Sequence, residues 1–118
     1  MLRIRKEQME AFKNDILQKF EDRMSLYLHS QFPEKTQKIQ ETDLRQMIRT
    51  GTFRARKYGV TLEPDVCRFL ECMMVHGFNF DTDPKIVWAG KILRDEKMTG
   101  REKMNRIDDY EISMLRRA

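Results

Sequence analysis

Between Arg5 and about Gln31, the apolar residues Met9, Phe12, Ile16, Phe20, Met24, Tyr27 and Leu28 recur at spacings of three and four. Lys13, Asp15, Lys19, Glu21 and Asp22 fill the positions between them. A half-buried strand needs strict alternation, whereas the 3.6-residue period of an α-helix gathers such positions into one stripe. At 1.5 Å per residue the helix would run about 40 Å, longer than a domain of this size is wide, so one end is free to project or to serve a partner. Phe32-Pro33 ends it, because Pro lacks an amide hydrogen and disfavours helical geometry in the residue before it. A short helical turn over Glu34–Gln40 should follow.

The rest of the chain repeats the helical pattern. Thr42 or Asp43 can cap a second helix with apolar positions at Leu44, Met47, Ile48, Phe53 and Ala55, interrupted by Gly51 and closed by Tyr58-Gly59. Gly51 costs that helix about 1 kcal/mol relative to Ala unless a neighbour packs close against it. Thr61 should cap a third helix, with Glu63, Pro64 and Asp65 in its first turn, a buried stripe of Val66, Phe69, Leu70, Met73 and Met74, and a stop at Gly77. After the connector Phe78–Pro84, with Asp83 as cap, a fourth helix over about Lys85–Arg94 carries Ile86, Trp88, Ala89, Ile92 and Leu93. Thr99 and Glu102 have capping-box spacing and open a fifth helix, whose stripe of Met104, Ile107, Tyr110, Met114 and Leu115 is narrow. No run of alternating β-branched residues, internal repeat or low-complexity segment is present. The expected fold is all-α, a compact bundle of about five helices with a long N-terminal helix, forming one domain over residues 1–118 with the helix of 95–118 at its edge.

Composition bounds the class of protein. A 118-residue chain that is 40% hydrophobic can bury a real core without disulfide or metal staples. No stretch approaches the roughly 20 apolar residues of a membrane span, and Met1–Lys6 has no apolar signal core behind it, so a cytoplasmic protein is expected. Cys67 and Cys72, five apart on one helix, point about 140° away from each other, which disfavours a disulfide and suits two buried thiols in a reducing compartment.

Side chains that carry chemistry are sparse. His29 and His76 lie near the ends of separate helices without a second His or Cys at ligand spacing, so no metal is expected. Asp81-Thr82-Asp83 lacks the Gly and the bidentate Glu of a calcium loop. The sequence has no nucleophile-elbow serine and no glycine-rich phosphate loop, and Asp108 and Asp109, adjacent on a helix, face different ways. Neither an enzyme nor a cofactor is expected.

Charge is more informative. The net charge of +4 is mild for a chain that is 36% charged, but Arg45, Arg49, Arg54, Arg56 and Lys57 follow one another with no acid between them. Arg45, Arg49 and Arg56 share a helical face at spacings of four and seven. A helix-turn-helix protein would offer such residues to phosphates, yet the next helix opens with Glu63 and Asp65, acids that a recognition helix would rarely put first. Pairing with acidic residues of a protein partner, or of the fold itself, is the better reading. Among the nine methionines, Met73 and Met74 belong to the core, while Met98, Met104 and Met114 lie in or near the weak C-terminal stripe.

Several segments together resemble small helical proteins encoded in bacterial type VI secretion gene neighbourhoods, beside spike-protein and effector genes. They begin with Ile4-Arg5-Lys6-Glu7-Gln8-Met9, Phe20-Glu21-Asp22-Arg23-Met24, Phe32-Pro33, Leu44-Arg45, Ile48-Arg49-Thr50-Gly51, Arg54-Ala55 and Tyr58-Gly59-Val60. They continue with Glu63, Asp65-Val66-Cys67-Arg68-Phe69, Gly77, Phe80-Asp81, Asp83-Pro84 and Trp88-Ala89. The resemblance covers about residues 3–93, departs at Thr52 and Val87 where an aliphatic residue and a proline are expected, and leaves the tail outside it. It implies a cytoplasmic accessory protein, an adaptor or chaperone that engages a secreted effector, toxin or spike component. It brings no catalytic residues. Two alternatives are an immunity protein that neutralises a cognate toxin and a small DNA-binding regulator. The expected partner-binding residues are Arg45, Arg49 and Arg56 as a charged surface, Phe78 and Phe80 as aromatic anchors with Trp88 as a further candidate, and Met104, Tyr110 and Met114 on the C-terminal stripe.

Overall fold

A computed structural model describes residues 5–117; the segment Met1–Ile4, which includes the start of the family resemblance, lies outside the described residues. The fold is all-α, and no strand occurs among the described residues. The elements are α1 (Lys6–Gln31), α2 (Pro33–Gln37), α3 (Glu41–Lys57), α4 (Glu63–His76), a 3₁₀ turn (Pro84–Ile86), α5 (Val87–Leu93) and α6 (Gly100–Arg117). Internal contacts divide the chain into two units, Met1–Ile48 and Arg49–Ala118, with the division falling inside α3.

In the first unit α1 is a 26-residue helix, about 39 Å long. Its first turn is closed by the Arg5 amide, which donates to Gln8 Oε1 at 3.0 Å. The Phe32 amide returns to the Leu28 carbonyl at 2.8 Å, and Pro33 then opens α2, which turns back against α1. Phe20, Leu28, Leu44, Met47 and Ile48 are buried.

In the second unit α6 packs on α4 and α5. The centre is Phe69, whose ring lies 5.0 Å from Phe80 and 6.2 Å from Tyr58 between centroids. Val66, Leu70, Met73, Leu93, Met104 and Ile107 are buried around that centre. Gly51 brings α3 close to α4: a Cβ there would stand 2.6 Å from both Leu70 Cδ2 and Met73 Sδ. Gly77 ends α4 at φ 114°, a backbone region that favours glycine.

Two expected caps are replaced. α3 starts at Glu41, so Thr42 and Asp43 lie inside its first turn, where the acids Glu41 and Asp43 complement the helix dipole. The residue that caps α4 is Leu62, without a side-chain hydrogen bond, and its carbonyl accepts from the amides of Asp65 and Val66 at 2.9 Å each. Thr61 stands one residue too early for that role. The other two expected caps are present. Asp83 accepts from the Lys85 amide at 2.9 Å, and Thr99 and Glu102 form a reciprocal capping box at 3.1 and 3.2 Å. The expected fourth helix begins as 3₁₀ before becoming α5.

Candidate protein-interaction surfaces

The basic stretch separates by environment. Arg45 reaches back to α1, where its Nη1 donates to Glu21 Oε2 at 3.1 Å and to Asp22 Oδ1, while its Nε donates to Glu41 Oε1 at 3.0 Å. Glu41 also accepts from Ser25 Oγ at 2.6 Å and meets His29 Nε2 at 2.7 Å. The Ser25 hydroxyl, then His29, then Arg45 hold the Glu41 carboxyl down to about 2, and hydrogen bonds from Arg45 and Gln18 lower Asp22. Arg45 therefore pairs with acids of its own fold, the second of the two roles that the sequence allows for it. Arg49 and Arg56 are both exposed.

Arg54 donates to the Phe78 carbonyl and to Asp81 Oδ1 at 3.3 Å, and the Tyr58 hydroxyl donates to Asp81 Oδ2 at 2.6 Å. These bonds hold the connector after α4 and turn Phe80 inward, where it is buried against Phe69, while Phe78 is half exposed. Burial, and then the bond to Asp81, push the Tyr58 phenol up to about 12. The same connector lines a shallow hollow of about 130 Å³ with Asp81, Asp83, Gly90 and Arg94.

The C-terminal stripe is divided as well. Met104 and Ile107 are fully buried, and Lys103 donates from Nζ to the Tyr58 carbonyl at 2.7 Å. Arg68 joins α4 to α6, donating to Asn105 and Asp108 at 2.8 Å each and to Asp65 at 2.7 Å. His76 Nε2 meets Glu111 Oε1 at 2.9 Å, and Trp88 stacks on Tyr110 with centroids 4.3 Å apart. Past Glu111 the apolar residues Ile112, Met114 and Leu115 are exposed. Of the expected contact residues, Phe78, Tyr110, Met114, Arg49 and Arg56 reach the surface, whereas Phe80 and Met104 are interior because their elements fold over Phe69 and α4.

Both cysteines are free thiols. Burial first, then nearby acids, push Cys67 up to about 12 and raise Cys72 further still, so the thiolate form needed for nucleophilic attack is strongly disfavoured. No cluster of three or more His, Cys, Asp or Glu able to hold a metal ion occurs among the described residues. No described helix is long and apolar enough to cross a membrane.

Two exposed features lie outside the expected set of contact residues. Every residue from Arg5 to Lys19 is exposed, and there Met9, Phe12, Ile16 and Leu17 leave 38, 62, 45 and 44% of their surface in solvent. On α3, Phe53 is 64% exposed, with the Lys57 ammonium 4.9 Å from its ring centroid. The signal for Phe53 was in its phase: it stands about 140° around the helix from Ile48, while Leu44, Gly51 and Ala55 lie within about 60° of it. Comparisons with protein-family models, curated proteins and solved structures find no match.

Proposed function

We propose that this protein is a non-enzymatic accessory, an adaptor or chaperone, that binds a protein partner through uncovered helical faces. The observation that carries the reading is the N-terminal half of α1. Met9, Phe12 and Ile16, at i, i+3 and i+7, stand exposed on a helical stretch with no buried residue before Phe20. Apolar side chains at that spacing are how an amphipathic helix anchors in a partner's groove. Identification of the partner as a type VI secretion effector, toxin or spike component, and of the cytoplasm as the site of action, rests on the sequence resemblance alone.

Co-expression with the product of an adjacent effector gene, followed by size-exclusion chromatography, should give a complex. Phe12→Asp with Ile16→Asp should dissolve it while leaving the helical circular-dichroism signal intact. Failure of the unaltered protein to form any complex overturns the secretion-adaptor reading. Gene deletion tells an adaptor from an immunity protein: loss of an adaptor abolishes delivery, whereas loss of an immunity protein makes cells sensitive to their siblings.

A further inference from the structure

The second half of α3 carries a surface distinct from the α1 stripe. Arg49, Phe53, Arg56 and Lys57 occupy positions i, i+4, i+7 and i+8 and so share one face of the helix. No acid occurs in the segment from Arg49 to Lys57, and Arg56 enters no ion pair among the described residues. The neighbouring Arg54 differs in being tied to Asp81 and the Phe78 carbonyl. The exposed phenyl of Phe53 is thus bordered by cations, and the Lys57 ammonium lies over one of its faces.

We infer that this face docks an acidic, extended peptide segment of a protein partner, with Phe53 as its apolar anchor and Arg56 and Lys57 as its carboxylate contacts. Charge complementarity selects an anionic ligand. In an extended peptide alternate side chains repeat every 6–7 Å or so, so an acidic side chain can meet Arg56 or Lys57 while an apolar one next on the same side lies over the phenyl. A nucleic-acid strand fits less well. Single-strand binders stack bases on aromatic faces along a groove that follows many phosphates. Here an ammonium occupies one face of the only aromatic ring in the segment, and the cationic run is two helical turns long.

The test is an amide-resolved NMR titration of the full chain with three short probes: a glutamate-rich peptide carrying one leucine, the same peptide with glutamine for glutamate, and an oligothymidylate. The acidic peptide should shift amides of Arg49–Lys57 saturably, and weaken as salt rises toward about 0.5 M. Arg56→Ala and Lys57→Ala should each weaken binding about two- to five-fold, the range of an exposed ion pair. Phe53→Ala should weaken it by up to about ten-fold. All three positions are exposed, and an unchanged amide spectrum elsewhere confirms that each variant is folded. The inference is overturned by no response at millimolar peptide, by equal binding of the glutamine peptide, or by tighter binding of the oligothymidylate, which would identify a nucleic-acid surface. Because the titration contains no secretion partner and α1 is unaltered, its outcome is independent of the α1 reading.

Discussion

Arg45 offers the sharpest separation between a residue that holds the fold and one that waits for a partner. Its guanidinium serves three carboxylates, of which the Glu21 side chain is only 6% exposed. Arg45→Ala removes a charged donor from that buried carboxylate. A hydrogen bond between charged groups is worth about 1.5–3 kcal/mol. The exposed half of the Glu41 pair adds little beyond this, because solvent screens it. The expected loss is about 2 kcal/mol at pH 7, or about 1 M in the urea midpoint for a chain of this size. Two probes localise it. Circular dichroism follows every helix, whereas fluorescence of the single tryptophan, Trp88, reports the second unit. Arg56→Ala, on an exposed side chain of the same helix, should change stability by less than about 0.5 kcal/mol. If the two variants prove equally mild, the Arg45 network contributes nothing measurable, and Arg45 returns to the set of partner-facing residues.

Three further outcomes follow from the geometry. Glu41 is lowered from 4.5 to about 2 in the folded chain, so its stabilisation is complete above about pH 4.5 and disappears as pH falls through 2. Because the side chain is half exposed, Glu41→Gln should cost only about 1 kcal/mol at pH 7, and its denaturation midpoint should converge on that of the unaltered protein near pH 2. A pH-independent difference refutes the assignment. Tyr58, raised from 10 to about 12, favours folding fully below pH 10 and loses that effect as pH rises through 12. Phenolate absorbance should therefore include a late-titrating component that is absent in Tyr58→Phe. At Gly100 a Cβ would stand 2.3 Å from the Gly59 carbonyl oxygen and 2.9 Å from Val60 Cα. Gly100→Ala should lower stability by about 2 kcal/mol despite alanine's better helix propensity, and a rise in melting temperature would contradict the close approach.

The existence and order of the helices were legible because each carries its own period. The caps were less so, because a cap is fixed by one or two residues of backbone geometry. At Leu62, φ −77° and ψ 137° make the turn, and the adjacent Thr61 hydroxyl is not needed. Phe78 and Phe80 show the same limit at a connector: two residues apart and of one type, they part because Arg54 and Tyr58 hold Asp81 and the Phe78 carbonyl and so set which ring turns inward. Sequence spacing cannot anticipate that. Nor does it reveal that Met104 falls under the cover of the α4–α6 contact while Met114, ten residues later, lies beyond it.

The first helix carries the more general lesson. Of its stripe, Met9, Phe12, Ile16, Phe20 and Tyr27 lie within about 80° of one another around the axis, while Met24 and Leu28 extend it to about 160°. Its buried residues are Phe20, Glu21, Ser25 and Leu28, centred about 100° away on a face that is half polar. Glu21 and Ser25 can occupy that face because Arg45 and Glu41 meet them there, so hydrogen bonds and charge, together with Phe20 and Leu28, determine which side of α1 is covered. The stretch with Met9, Phe12 and Ile16 lies before that covered part of α1 begins: every residue from Arg5 to Lys19 is exposed, including Leu17, which stands within about 20° of the centre of the buried face. If α1 were covered over that stretch, Phe12 and Ile16 would be core residues, and Phe12→Asp with Ile16→Asp would unfold the first unit. Because both side chains are exposed, the same pair should leave stability within about 0.5 kcal/mol and remove only what the stripe binds. A cooperative loss of helix in that variant would show that the stripe is covered, and would withdraw the strongest support for a partner on α1.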